Sequence, residues 1–246
     1  MKRIFILLAL IISLGLHAQT VRVAAAGNLR YILDDIKELY TKKSPSVKVE
    51  VVLSASGALY QQIINGANYD FFMAADKSFP DKLKEQGVAN GDVKVYGYGK
   101  LVLYSNSLDV SKGVEMLTEK SVSRIAIAKP EVAPYGERAM QCLTYYGMFD
   151  KVKAKIIYAD NIATAAQYAT TGNTEVGFLA LALVLAPEMK GKGKYVELDP
   201  KSYKPVEQAC VLLKTWEKNP EASKFMKFVL SAECKPVFEK YGFIVP

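Results

Sequence analysis

Apolar, strand-like runs along the chain break at a small or polar residue and then give way to a helical period of apolar positions, and this switch happens four times in the same way. Residues 21–26 read as a strand, Gly27-Asn28 interrupts it, and Leu29, Ile32, Leu33, Ile36, Leu39 and Tyr40 then fall on one helix face. Residues 47–53 lead through Ser54-Ala55-Ser56-Gly57 into a helix carrying Leu59 and Ile63. Residues 124–128 lead through 129–136 into a helix with Ala139, Cys142, Leu143 and Tyr146 inward. Residues 155–158 lead through Asp160-Asn161 into a helix with Ile162, Ala165, Ala166 and Ala169 inward. A helix start carries N–H groups without intrahelical partners and a partial positive charge, so each junction can hold an anion. If the two halves of the chain face each other, four helix starts converge on one ion.

The remaining pattern continues the alternation of strands and helices, which places the chain in the α/β class, built around mostly parallel sheets. Residues 70–75 form a short strand, and 79–86 a short helix capped by Asp76 or Ser78 and closed by Gly87. Residues 93–104 make a longer β-rich stretch broken by Gly97 and Gly99, able to pass from one domain to another. Gly172-Asn173 end the fourth helix; 176–181 is a buried strand, and 183–189 continues as an apolar helical stretch. Residues 206–214 read as a return crossing. An amphipathic helix follows over 219–231 with Ala222, Phe225, Met226 and Val229 inward, and a last one near 236–241 has Pro236 in its first turn.

Composition narrows the chemistry. Residues 1–18 combine a basic start (Lys2, Arg3), an apolar run over 4–16 and a Leu16-His17-Ala18 cleavage site, the layout of a secretory signal peptide. No Cys precedes Cys142, so no lipid-attachment cysteine is expected, and the product should be an exported, soluble protein. The formal charge of +7 falls to +5 without Lys2 and Arg3. The only histidine, His17, lies in the same segment. A mature chain without His has no His general base, no Ser-His-Asp triad and no His metal ligand. Lysines are dispersed, and no aromatic–basic interleaving points to nucleic acid. Cys142, Cys210 and Cys234 lack metal-ligand spacing; either Cys210 pairs with Cys234, leaving Cys142 free, or all three are buried thiols.

Taken singly, the junction residues have ordinary uses. Asn28 and Ser56 are what a helix N-cap requires. Tyr135 suits packing, and Ile162 suits a core-facing helix position. Asp76 and Asp160 read as helix-start carboxylates. Tyr145-Tyr146 offers the residue type of a phenolate clamp for ferric ion, but Tyr146 on the apolar helix face reads as core.

The order of several segments, however, resembles the periplasmic molybdate-binding proteins of ABC transporters. The likeness rests on Val23-Ala24-Ala25-Ala26-Gly27-Asn28-Leu29, on residues 56–63, 66–76, 99–103, 128–136 and 171–178, and on Lys240-Tyr241-Gly242-Phe243. The resemblance implies a two-lobed periplasmic-binding-protein fold of type II, each lobe a mostly parallel sheet with flanking helices. Two crossing strands join the lobes, with 19–98 plus 205–246 as lobe I and 99–204 as lobe II. It also implies capture of molybdate or tungstate as cargo, with no cofactor, and delivery to the membrane permease of an ABC transporter by a monomeric receptor.

Carried over by position, Asn28 with Gly27 beside it, Ser56, Tyr135 and Ile162 contact the oxyanion, touching its metal only through its oxygens. Ile162 contributes a backbone N–H. Some members donate a tyrosine hydroxyl from the strand after the fourth helix, where this chain has Ala180; the Tyr135 phenol is expected to replace it. Such dianions accept hydrogen bonds and donate none, so the site should be dry and rich in donors. A sulfate or phosphate receptor is the nearest alternative. A periplasmic enzyme on the same scaffold is disfavoured by the missing His, cofactor motif and spaced carboxylate pair. A ligand-free adhesin is the third reading.

Overall fold

The computed structural model describes residues 19–246; the expected signal peptide lies outside the described residues. The chain begins with β1 (Gln19–Ala26), α1 (Arg30–Lys43), β2 (Val47–Ser54), α2 (Ser56–Ile64), β3 (Phe71–Ala74), α3 (Ser78–Glu85) and β4 (Ala89–Gly99). It continues through β5 (Leu101–Ser105), β6 (Ile125–Ala128), α4 (Pro134–Tyr145), α5 (Phe149–Val152), β7 (Ile156–Ala159), α6 (Ile162–Thr170), β8 (Val176–Ala180), α7 (Leu181–Val184) and β9 (Lys194–Glu197). It closes with β10 (Val206–Leu213), α8 (Pro220–Val229) and α9 (Lys235–Lys240).

Two five-stranded sheets result, ordered β2-β1-β3-β10-β4 and β7-β6-β8-β5-β9. They are built alike. Three parallel strands, β2-β1-β3 or β7-β6-β8, are followed by one that runs opposite to them, β10 or β5, and by an edge strand, β4 or β9, paired antiparallel to it. The sheets are therefore mixed, and only their junction-bearing halves are parallel. The β-rich run expected over 93–104 is two strands in different sheets, with Lys100 alone between them. The return leads through residues 198–205, after which β10 inserts between β3 and β4.

The elements form for local reasons. On α1, Ile32, Leu33, Ile36 and Tyr40 are buried at helical spacing, each contributing about 1.5–3 kcal/mol by leaving water. All four residues of β6 are buried, as suits a parallel strand covered on both faces. Gly87 and Gly172 follow α3 and α6 with φ of +66° and +77°, a left-handed turn that stops a helix. Tyr146, expected in the core, is 40 % exposed and stacks edge-on against Tyr145 at 5.0 Å. It lies one residue beyond α4, where the helical period no longer carries it inward. All three cysteines are buried free thiols.

Ala26, Ala55 and Ala75, each just at or past the end of a parallel strand of the first sheet, belong to the same apolar cluster as the second sheet's core. The two lobes are thus closed on each other at the C-terminal ends of their parallel strands.

Candidate functional site

Each of the four junctions sits where a parallel strand ends and a helix begins, the place where open α/β sheets bind ligands. They face each other in pairs. Gly27, opening a short 3₁₀ turn before α1, lies against the start of α6: a methyl added there would stand 3.4 Å from Ala163 Cβ and 3.5 Å from Ala163 N. Gly57, the second residue of α2, donates its N–H to the Val132 carbonyl just before α4, at 2.9 Å. A methyl on Gly57 would come within 2.9 Å of Val132 Cα and 3.0 Å of its carbonyl oxygen.

Asn28, Ser56, Tyr135 and Ile162 are all brought to this meeting point and all are buried. Neither polar residue caps a helix. Ala55, without a polar side chain, holds the N-cap of α2, while Ser56 Oγ accepts the Ala75 N–H at 2.9 Å. That bond occupies a lone pair and leaves the serine proton to point elsewhere. Asn28 makes no capping bond; its Nδ2 lies 3.0 Å from Gln208 Oε1, and its Oδ1 is buried with no partner among the described residues.

Lobe II is arranged differently. Pro134 takes the first position of α4 and Tyr135 the second, so the Tyr135 N–H precedes the first intrahelical bond, Glu137 N–H to the Ala133 carbonyl at 3.1 Å. The Tyr135 hydroxyl is turned toward Gln208 Nε2 at 3.0 Å, and burial pushes its pKa far above the usual phenol range, so it stays neutral. Asn161 caps α6 by accepting the Thr164 N–H at 3.0 Å, and Ile162 and Ala163 lie ahead of that bond. Ala180, buried at the end of β8, offers no side-chain donor.

The nearby carboxylates are engaged elsewhere. Burial raises the Asp76 carboxyl, but hydrogen bonds from Ser78 and the Arg138 guanidinium more than offset it, and the net shift is downward. Asp160 pairs with Lys129 at 2.6 Å on the surface. Arg138, on α4, also donates to the Lys204 and Pro205 carbonyls at 3.3 Å each, tying the lobes to the return segment. A cavity of about 300 Å³, lined by Arg30, Tyr31, Asn161 and Thr164 among others, adjoins the Gly27–α6 contact.

Gln208 and Tyr96 were not marked by any junction pattern. The one available signal for Gln208 was a polar residue inside the apolar run of β10. Gly99 is also required, since a Cβ there would sit 2.1 Å from Tyr135 Oη and 2.5 Å from Gln208 Nε2. The assembled site offers many donors, no free carboxylate and little room, which suits a small anion that carries no proton.

Among known proteins, residues 21–244 match the family model described as bacterial extracellular solute-binding protein. The chain is 35 % identical over 243 residues to the molybdate-binding protein ModA of Rhodobacter capsulatus, covering 96 % of this chain and 94 % of that one. It is 33 % identical over 229 residues to ModA of Azotobacter vinelandii, covering 92 % and 90 %. The solved structure of the Azotobacter vinelandii periplasmic molybdate-binding protein aligns with a TM-score of 0.87 at 30 % identity, over 92 % of this chain and 99 % of that one. A sulfate-binding protein of Mycobacterium tuberculosis aligns with a TM-score of 0.76 at 13 % identity, over 92 % and 87 %, a likeness of fold alone.

Proposed function

The chain belongs to the bacterial extracellular solute-binding proteins, and from that membership we propose that it captures molybdate between its lobes and delivers it to the permease of an ABC transporter. Tungstate, with the same shape and charge, is proposed as a second cargo. The receptor is proposed to act as an exported monomer that returns its ligand chemically unchanged.

The observation that carries this reading is the pairwise meeting of four strand-to-helix junctions with no carboxylate turned into them. Asn28 and Ser56 supply side-chain donors, and the helix starts at Ser56, Tyr135 and Ile162 supply backbone N–H groups and positive potential. Molybdate is a dianion without a proton, so a shell of donors meets all its needs. Phosphate keeps a proton near neutral pH and benefits from a carboxylate acceptor, but Asp76 and Asp160 are held by Arg138 and Lys129.

Asn28, Ser56, Tyr135 and Ile162 are at most 5 % exposed, so an ion cannot reach them while the lobes stay together. Binding is proposed to proceed through an open form that closes on the ligand. The test is titration calorimetry with molybdate, tungstate, sulfate and phosphate on the mature chain. Molybdate and tungstate are expected to bind tightly, and phosphate weakly or not at all. Tighter binding of sulfate than of molybdate would overturn the assignment.

A further inference from the structure

Gln208 lies fully buried in β10 and joins both lobes through its amide. One end contacts Tyr96 Oη at 2.9 Å and the Asn28 amide at 3.0 Å, and the other contacts Tyr135 Oη at 3.0 Å. Tyr96 Oη also lies 2.9 Å from the Ala74 carbonyl oxygen. A phenol has one proton to give, and a carbonyl can only accept. If that proton went to Gln208 Oε1, the Tyr96 and Ala74 oxygens would touch with no proton between them. Asn28 Oδ1 would at the same time remain buried without a partner, a costly arrangement.

Turning both amides by 180° exchanges oxygen and nitrogen in place and keeps every contact length. Tyr96 then donates to Ala74. Gln208 Nε2 donates one proton to Tyr96 Oη and the other to Asn28 Oδ1, and Gln208 Oε1 accepts the Tyr135 proton. Every member of this hydrogen-bond network is then paired except Asn28 Nδ2, which keeps two protons free.

We propose that Gln208 is the positioning residue of the oxyanion site: it holds Asn28 by its oxygen and thereby commits both Nδ2 protons to the ligand. This rests on the molybdate-receptor reading and deepens it. The Tyr135 phenol is used by Gln208, so Tyr135 serves the anion through its backbone N–H, in place of the hydroxyl donation expected from the resemblance. With its oxygen held, Asn28 offers no acceptor, and an anion that carries a proton finds none there. Tyr96 keys the polarity from the back of the site through its bond to Ala74.

The test is a double-mutant cycle read by molybdate titration. Gln208→Met keeps length and volume while removing the amide, and should weaken molybdate about tenfold or more. In an Asn28→Ala background the same change should cost less than about threefold, because Gln208 acts through Asn28. A merely structural role would give the same loss in both backgrounds. Tyr96→Phe, run in parallel, removes a single oxygen and keeps the ring against Phe238 and Phe243, so it reports even if Gln208→Met does not fold. It should weaken molybdate several-fold in the parent and hardly at all beside Asn28→Ala. A parent that binds molybdate, with losses that multiply across the cycle, overturns this proposal alone. A parent that binds no oxyanion overturns it together with the receptor reading.

Discussion

The two lobes build their strand-to-helix junctions on the same sheet topology and equip them in opposite ways. Lobe I places short polar side chains at the helix starts and orients them from behind, Ser56 by the Ala75 N–H and Asn28 by Gln208. Lobe II places Tyr135 and Ile162 there, buries both side chains, and leaves the N–H groups at the starts of α4 and α6 ahead of the first intrahelical bonds. Selection can therefore act on lobe I through side-chain chemistry, whereas lobe II depends on where its helices begin. A side-chain donor is lost by one substitution; a backbone donor survives most of them.

The largest effect should come from the line where the lobes touch. Gly57→Ala inserts a methyl within 3.0 Å of the Val132 backbone, so the lobes cannot close fully and donors from lobe II no longer reach an ion held by lobe I. Molybdate affinity should fall about a hundredfold or more, the loss of two hydrogen bonds to a charged partner. Small-angle scattering of the variant should show no compaction when ligand is added. A variant that still compacts would mean that the interlobe contact yields.

Ser56→Ala and Asn28→Ala come next. Each removes side-chain donation to an anion, a loss of about 1.5–3 kcal/mol, or roughly ten- to a hundredfold in affinity. Calorimetry on each single variant checks this. Unchanged affinity in both would place the ligand elsewhere.

Tyr135→Phe sharpens the comparison, since it deletes a hydroxyl from the lobe said to work by its backbone. The ring and its packing remain, and molybdate affinity should drop less than tenfold. A loss as large as that of Ser56→Ala would show the phenol itself reaching the anion.

Ile162→Val should matter least. It shortens a buried side chain at a cost of about 0.5–1.5 kcal/mol in stability, but the N–H at the start of α6 stays. Thermal melting should register the change while molybdate affinity stays within about twofold, far less than a lost hydrogen bond would give. An affinity loss near that of Asn28→Ala would erase the distinction between the lobes.

The switch from a strand-like apolar run to a helical period marked all four junctions in the sequence, because it is set by local burial at each strand end. The antiparallel halves of the sheets were not legible: a mostly buried strand such as β10 reads the same in either direction, and its insertion between β3 and β4 depends on partners more than 100 residues away. Gln208 escaped for the same reason, since its meaning comes from Tyr96, Asn28 and Tyr135, none of them near it in sequence. Ser56 could be proposed as a site residue only with the resemblance. By pattern alone it was a helix cap, and its bond to Ala75 shows that it is not.

The insertion of β10 also sets a timetable. Chain synthesis runs from the N-terminus toward residue 246, and the strands of the second sheet are complete by Glu197, while β3 and β4 still lack the strand that belongs between them. Until residue 213 has emerged, the fully buried β3 and the partly exposed β4 present bare hydrogen-bonding edges, the kind of surface that recruits other chains. The last strand to arrive both seals those edges and carries Gln208 into place, so the proposed anion site of a nascent chain is incomplete before its first sheet is whole.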